Sequence, residues 1–295
     1  MAAYLFVHFI GEEPDGEQVY FAVSRDGLHW SDLNGGKPVL VCRIGTQGVR
    51  DPFVVQHPVT GRYYLMATDL RIASGCSWQQ AKEDASRDMI IWESDDLIHW
   101  DGPRAVSLAP DGTGCLWAPE AIYDEERGQF FVFFSCYVNA AGKLKIYGCF
   151  TEDFRTFSEP FVYMERSRSV IDAALIRKTG RVYRVSKNEE EKRLELEASD
   201  SLYEGFSRIS SPVLDSLFGL EGPELYPLLD GRLCLIADQF IARKGYLPMI
   251  EEEIASGDFR VLDPEEYDFG KTRKRHGGVI EIPDEAYHAL IRRFG

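Results

Sequence analysis

Four carboxylates and one histidine stand at matching points of a recurring pattern: Asp51 in VRDPF, Glu120 in LWAPE, Asp172 in VIDAA, Glu221 in LEGPE and His276 in KRHGG. Like charges raise one another's pKa, so gathering such groups is costly unless one acid has to keep its proton while another loses it. Cleavage of a glycosidic bond needs that division: a protonated acid for the leaving oxygen, and an ionised carboxylate acting on water or on the anomeric carbon. Aromatic residues lie close by at Phe53, Trp78, Trp117 and Tyr226. A ring face beside a carboxylate suits a sugar, whose C–H faces stack while its hydroxyls take hydrogen bonds. Taken singly, each acid is as well explained by a turn cap or a pair with Arg50 or Arg275, and each aromatic by core packing. The shared register of several acids is what points to a site.

A repeat supplies the elements that position them. VYFAVSRDGLHW (19–30), MIIWESDDLIHW (89–100), IYGCFTEDFRTF (146–157) and LELEASDSLYEGF (194–206) each run as an alternating strand, a Ser or Thr, an acidic turn residue and an aromatic. MIEEEIASGDFRVL (249–262) is a weaker fifth copy. Between them, DPFVVQHPVTGRYYLMATD (51–69), APEAIYDEERGQFFVFFSC (118–136), DAALIRKTGRVYRVSKNE (172–189) and GPELYPLLDGRLCLIADQ (222–239) are strand–turn–strand units with a glycine near each tip. Alternation of period two with Asp, Gly and Ser at the turns is the signature of antiparallel strands. Unit starts at 51, 118, 172, 222 and about 278 are roughly 50 to 67 residues apart, the size of a propeller blade with long loops.

These units predict an all-β protein, a five-bladed β-propeller forming a single domain over 1–295. Four blades are complete, and the fifth joins GGVIEIP (277–283) to the strands at 3–10 and 19–24, closing the ring and leaving few open edges. The innermost strands line the central channel, so their first residues should meet at one mouth. A helix is expected only at 284–293, after Pro283. The charged stretch 189–193 reads as a solvated hairpin tip. The loop 70–88, with Trp78 and Arg87, has no counterpart in the other units and is placed to wall a pocket.

Composition narrows the partners. Of 295 residues, 33 are basic and 48 acidic, a net charge of −15, which repels phosphate backbones and anionic lipid, so neither nucleic acid nor a membrane is an expected partner. The apolar run 4–10 is too short to span a bilayer, has no basic residue before it and leads into Gly11, Glu12 and Glu13 instead of a cleavage site, so a cytoplasmic location is expected. The six cysteines form no CxxC pair or zinc-ligand cluster and read as reduced packing residues.

The motifs VRDPF, LWAPE, VIDA and LEGPE, in that order on five β repeats, resemble glycoside hydrolase family 43, the arabinofuranosidases, xylosidases and arabinanases. The similarity runs from YLFVHF to RHGGVIEI. The resemblance implies an inverting hydrolysis in which Asp51 is the general base, Glu221 the general acid and Asp172 the carboxylate that tunes and orients the acid. It also implies exo action on a terminal pentose, α-L-arabinofuranose or β-xylose, of a plant-type oligosaccharide. Substrate contacts are expected from Phe53, Trp78, Trp117 and Arg275. No cofactor is required, though His276 matches a histidine that in some relatives helps hold a calcium ion or water in the channel. Glu224, three residues past Glu221, competes for the acid role but is expected to point elsewhere. Glu120 stands where many relatives carry Asp, and VIDAA lacks the usual residue after its aspartate. Two other readings stay open: a retaining fructan hydrolase of the invertase type, whose Asn-Asp-Pro-Asn motif is missing, and a sugar-binding propeller without catalysis.

Overall fold

The computed structural model describes residues 2–295. Five four-stranded antiparallel sheets form the blades. The first contains β1 (Ala2–Phe9), β2 (Tyr20–Ser24) and β3 (Trp30–Asp32). The second is β4 (Val49–Gln56), β5 (Tyr63–Asp69), β6 (Asp88–Ser94) and β7 (Asp101–Ser107). The third is β8 (Trp117–Asp124), β9 (Gln129–Val138), β10 (Lys143–Thr151) and β11 (Phe161–Met164). The fourth is β12 (Val170–Lys178), β13 (Arg181–Asn188), β14 (Arg193–Ser199) and β15 (Ser207–Ile209), and the fifth β16 (Glu221–Pro227), β17 (Leu233–Asp238), β18 (Tyr246–Glu253) and β19 (Asp258–Val261). The late strand β20 (Arg275–Pro283) pairs with β1 from Ala2↔Pro283 to Phe9↔Arg275, becoming the innermost strand of the first blade. The five-bladed propeller closed by both ends of the chain is thus the observed architecture.

The repeated acidic turn has a local cause. Ser24, Ser94 and Thr151 accept backbone hydrogen bonds from Gly27, Leu97 and Phe154 at 2.8–2.9 Å. Two residues after each, Asp26, Asp96 and Asp153 cap the amides of Leu28, Ile98 and Arg155 at 2.8 Å. These aspartates are therefore turn-makers. Both faces of each blade are apolar and bury against the next. Tyr4, Phe6 and Trp30 pack with Tyr226 and Ile236, for example, and Tyr64 and Met66 with Phe130 and Phe154.

Helix α3 (Asp284–Phe294) matches the expected one and lays Leu290 and Ile291 on the apolar core that contains Leu5, Val7 and Phe21. Two shorter helices were not anticipated: α1 (Trp78–Glu83), capped by Ser77 accepting from the Gln80 amide, and α2 (Pro212–Ser216), capped by Ser211. Among the described residues, no helix is long and apolar enough to cross a membrane.

Candidate active site

Each innermost strand carries a β-bulge at its channel-facing start. The register breaks fall between Arg50 and Phe53, Trp117 and Glu120, Ile171 and Ala174, Glu221 and Glu224, and, on the partner strand, between His8 and Phe9 opposite Arg275 and Gly277. The extra residue takes the left-handed conformation in four blades: Asp51 at φ 51°, Ala118 at 47°, Asp172 at 52° and Gly222 at 54°. Aspartate and glycine tolerate this region better than other residues. A bulge re-aims side chains, and here it produces three layers around the axis.

The outer layer is Arg50, Trp117, Ile171, Glu221 and Arg275, all facing one cavity of about 1000 Å³. The middle layer contributes Asp51, Asp172 and His276 to its floor. The third layer lies below and outside the cavity and holds Phe53, Glu120, Ala174, Glu224 and Gly278. The acids are thus not in one register as expected: Asp51 and Asp172 coincide, Glu221 stands one position earlier, and Glu120 two later, level with Glu224.

Side chains opposite the bulges reach to the next blade. Thr68 donates to Asp51 Oδ2 at 2.8 Å and accepts from the Ala118 amide at 2.8 Å. Ser135 accepts from the Asp172 amide at 3.3 Å, and Asp172 Oδ2 accepts from the Gly222 amide at 3.2 Å. In the same column, Lys187 donates to Glu221 Oε2 at 2.9 Å, and Asp238 accepts from Arg275 Nε at 2.8 Å. Phe9 completes the column under the Arg50 guanidinium, 4.5 Å from its ring centre.

His276 sits on the axis with Nδ1 3.4 Å from Asp51 and 4.0 Å from Asp172, and Nε2 4.0 Å from Glu120. Burial favours a neutral imidazole, but Asp172 and Asp51 outweigh it and lift its pKa well above the usual range. Burial likewise pushes Asp51 up, yet His276, Arg50 and Thr68 together bring it below the ordinary carboxylate value. Arg50 itself bonds Glu12 and Glu17 at 3.1 and 3.0 Å, so the imidazolium, more than the neighbouring arginine, keeps Asp51 ionised. Asp172 behaves oppositely: burial, with Glu221 and Asp51 nearby, pushes it up to about 6 against His276 and Lys187. Glu120, buried and close to Asp172, rises to about 7.

Glu221 departs from expectation. Burial raises it, but Lys187 and Arg275 each hold one of its oxygens, at 2.9 and 2.7 Å, and its pKa is lowered, not raised by its carboxylate neighbours. Arg275 also binds Asp238 at 2.8 Å and Glu12 at 2.9 Å, so the arginine expected at substrate hydroxyls is engaged with three carboxylates. Glu224 accepts from the Val279 amide at 2.7 Å, away from the cavity, as anticipated.

The aromatic expectations divide. Trp78 and Trp117 line the cavity with ring centres 6.4 Å apart, edge to face. Phe53 does not line it. It lies one layer down against Gly278, where a Cβ would come within 2.7 Å of its ring. Tyr226 is also core, its hydroxyl donating to the Gly27 carbonyl at 2.7 Å. From the loop 70–88, α1 supplies Trp78, Gln79, Lys82 and Glu83 to the wall, whereas Arg87 turns to Asp111 at 3.3 Å. Glu189, expected at a solvated tip, lines the cavity and binds Lys187 at 2.7 Å. Among the described residues no group of three or more His, Cys, Asp or Glu is arranged to hold a metal.

Comparison with known proteins bears on this cavity. The sequence model of a family described as "Probable glycosyl hydrolase domain", related to glycoside hydrolase family 43, matches residues 1–288. The chain belongs to that family. An α-L-arabinofuranosidase of Bifidobacterium longum is 29% identical over 209 residues, 63% of this chain but 20% of the relative, so the match spans about a fifth of that protein. A family-43 β-1,3-galactosidase with galactodeoxynojirimycin superposes with a TM-score of 0.61 at 13% identity, covering 93% of this chain and 92% of that one. An endo-1,4-β-xylanase from Bacteroides thetaiotaomicron gives 0.63 at 13% identity, covering 94% and 93%. At these identities the two structures speak for the shared propeller fold.

Proposed function

We propose that this chain removes a terminal pentose, α-L-arabinofuranose or β-xylose, from an oligosaccharide by a single inverting displacement. The observation that carries the reading is a single cavity lined by Asp51, Asp172 and Glu221 beside a tryptophan pair, with Asp51 held ionised next to Thr68 and His276. Asp51 takes a proton from a water whose oxygen bonds to the anomeric carbon. Glu221 gives its proton to the departing glycosidic oxygen as the C–O bond breaks, and Asp172 orients the acid through the Gly222 amide. Solvent then removes the proton from Asp51 and returns one to Glu221. The tryptophan pair offers ring surface to the sugar, and the arabinofuranosidase relative favours a pentose.

The raised pKa of Asp172 supports a second reading, in which Asp172 is the proton donor and Glu221 a fixed anion. Leaving-group dependence separates the two. Nitrophenyl arabinofuranoside, xyloside and galactoside are screened with wild type, then the preferred sugar is offered with nitrophenyl and with sugar leaving groups. Glu221→Gln should keep nitrophenyl turnover far better than oligosaccharide turnover, because nitrophenolate leaves without protonation. Asp172→Asn showing that pattern instead would move the acid role to Asp172. Asp51→Asn should lose at least about a thousandfold on both substrates, and wild-type rates in Asp51→Asn would reject the assignment.

A further inference from the structure

Lys187 is the one cation among Thr68, Ser135, Lys187, Asp238 and Phe9, the residues that face a bulge from the second strand. Thr68 and Ser135 meet the next blade with neutral hydroxyls, whereas Lys187 brings a full positive charge to the cavity from a side chain that is 3% exposed. Its ammonium lies 2.9 Å from Glu221 and 2.7 Å from Glu189, and 4.4 Å from the centre of the Phe240 ring. The other cation on Glu221, Arg275, divides its charge among three carboxylates.

We propose that Lys187 is a positioning residue that fixes Glu221 and sets the upper pH limit of catalysis, with Glu189 opposing that setting from the far side of the ammonium. The inference rests on Glu221 being the proton donor. Facing Glu221 are Lys187 from β13, Asp172 from β12, Asp238 from β17 and, from the turn after β13, Glu189, which also pairs with Lys192. Strand β20 adds Arg275 and His276. Asp172, Asp238 and Glu189 favour the protonated acid, while Lys187, Arg275 and His276 favour the anion. Lys187 is the cation at bonding distance that shares its charge with fewest competitors.

The sign follows. A general acid works protonated, so activity falls as pH rises through its pKa. A charge removed from direct contact with a carboxylate moves that pKa by roughly one to two units. Lys187→Met should carry the alkaline limb of kcat/KM upward by about that much. Lys187→Arg should leave it within about half a unit, and Glu189→Gln should move it downward. The acidic limb, set by Asp51, should stay in place in all three. A readout independent of turnover is carbon-13 NMR titration of the intact chain with labelled glutamate, the Glu221 carboxyl assigned by its loss in Glu221→Gln. Upward movement of that resonance's midpoint in Lys187→Met and downward movement in Glu189→Gln support the inference. Midpoints overlaying wild type overturn it. If Lys187→Met does not fold, Glu189→Gln decides alone: no shift, or an upward one, overturns the proposal. The leaving-group test on Glu221→Gln judges the acid assignment separately, because the NMR midpoint is read whether or not Glu221 turns out to be the acid.

Discussion

Gly222→Ala tests how the bulge layers work together. Gly222 sits at φ 54°, and an added Cβ would lie 2.5 Å from His276 Cγ and 2.8 Å from its Cβ and Cδ2. Backbone strain alone costs an L-residue roughly 1–2 kcal/mol. It is not prohibitive, because Ala118 holds φ 47° at the equivalent point of the third blade. The collision adds about 1–3 kcal/mol of overpacking, since the obstacle is a buried ring with blades on every side. Denaturant unfolding should therefore show a loss of about 2–5 kcal/mol. The functional effect comes through displacement of His276. Its charge depresses Asp51, a base that works ionised and loses activity as pH falls through its pKa. Moving the imidazolium away raises that pKa, so the acidic limb of the rate profile should shift to higher pH. Stability within about 1 kcal/mol of wild type, with an overlapping acidic limb, would refute the argument that Gly222 is required by the ring it touches.

Other outcomes follow from the same geometry. Trp78→Ala, removing a 53% exposed ring at the cavity wall, should raise KM about five- to tenfold with little change in melting temperature. Phe53→Ala should do the reverse, costing about 2–3 kcal/mol of stability while KM holds. Steady-state kinetics and thermal melts on the two variants check both. Glu93, 3% exposed, pairs with Arg62 at 3.3 Å and Arg155 at 2.9 Å and also with Arg104. Glu93→Ala should destabilise by about 1–3 kcal/mol by denaturant titration, discounted from a fully buried pair because the arginines reach solvent.

The ring and its closure were legible because their causes are local. Ser24, Ser94 and Thr151 with their aspartates make the turns at regular distances, and strand alternation does the rest. The lone strand 277–283 needed only a partner to complete the count. The site was less legible because a bulge shifts register by one residue. Phe53 and Glu120 look adjacent to the floor in the sequence but drop beneath it, while Glu221 rises above Asp172. Lys187 and Asp238 were missed although a signal exists: aligning the second strands puts Thr68, Ser135, Lys187 and Asp238 in one column. The ionisation of Glu221 depends on cations 34 and 54 residues away, and pairings at that range leave no local pattern. Helices α1 and α2 were missed because five or six residues show no helical period, although their serine caps and Pro212 were in view.

The central claim is that water, activated by Asp51, attacks directly while Glu221 protonates the leaving group. Proton NMR of the first sugar released, recorded before mutarotation, tests it most directly. From an α-L-arabinofuranoside the account predicts that the β-anomer appears first, and from a β-xyloside the α-anomer. A first-formed product with the substrate's own anomeric configuration would contradict it, because retention requires a covalent glycosyl intermediate that this assignment of roles does not contain.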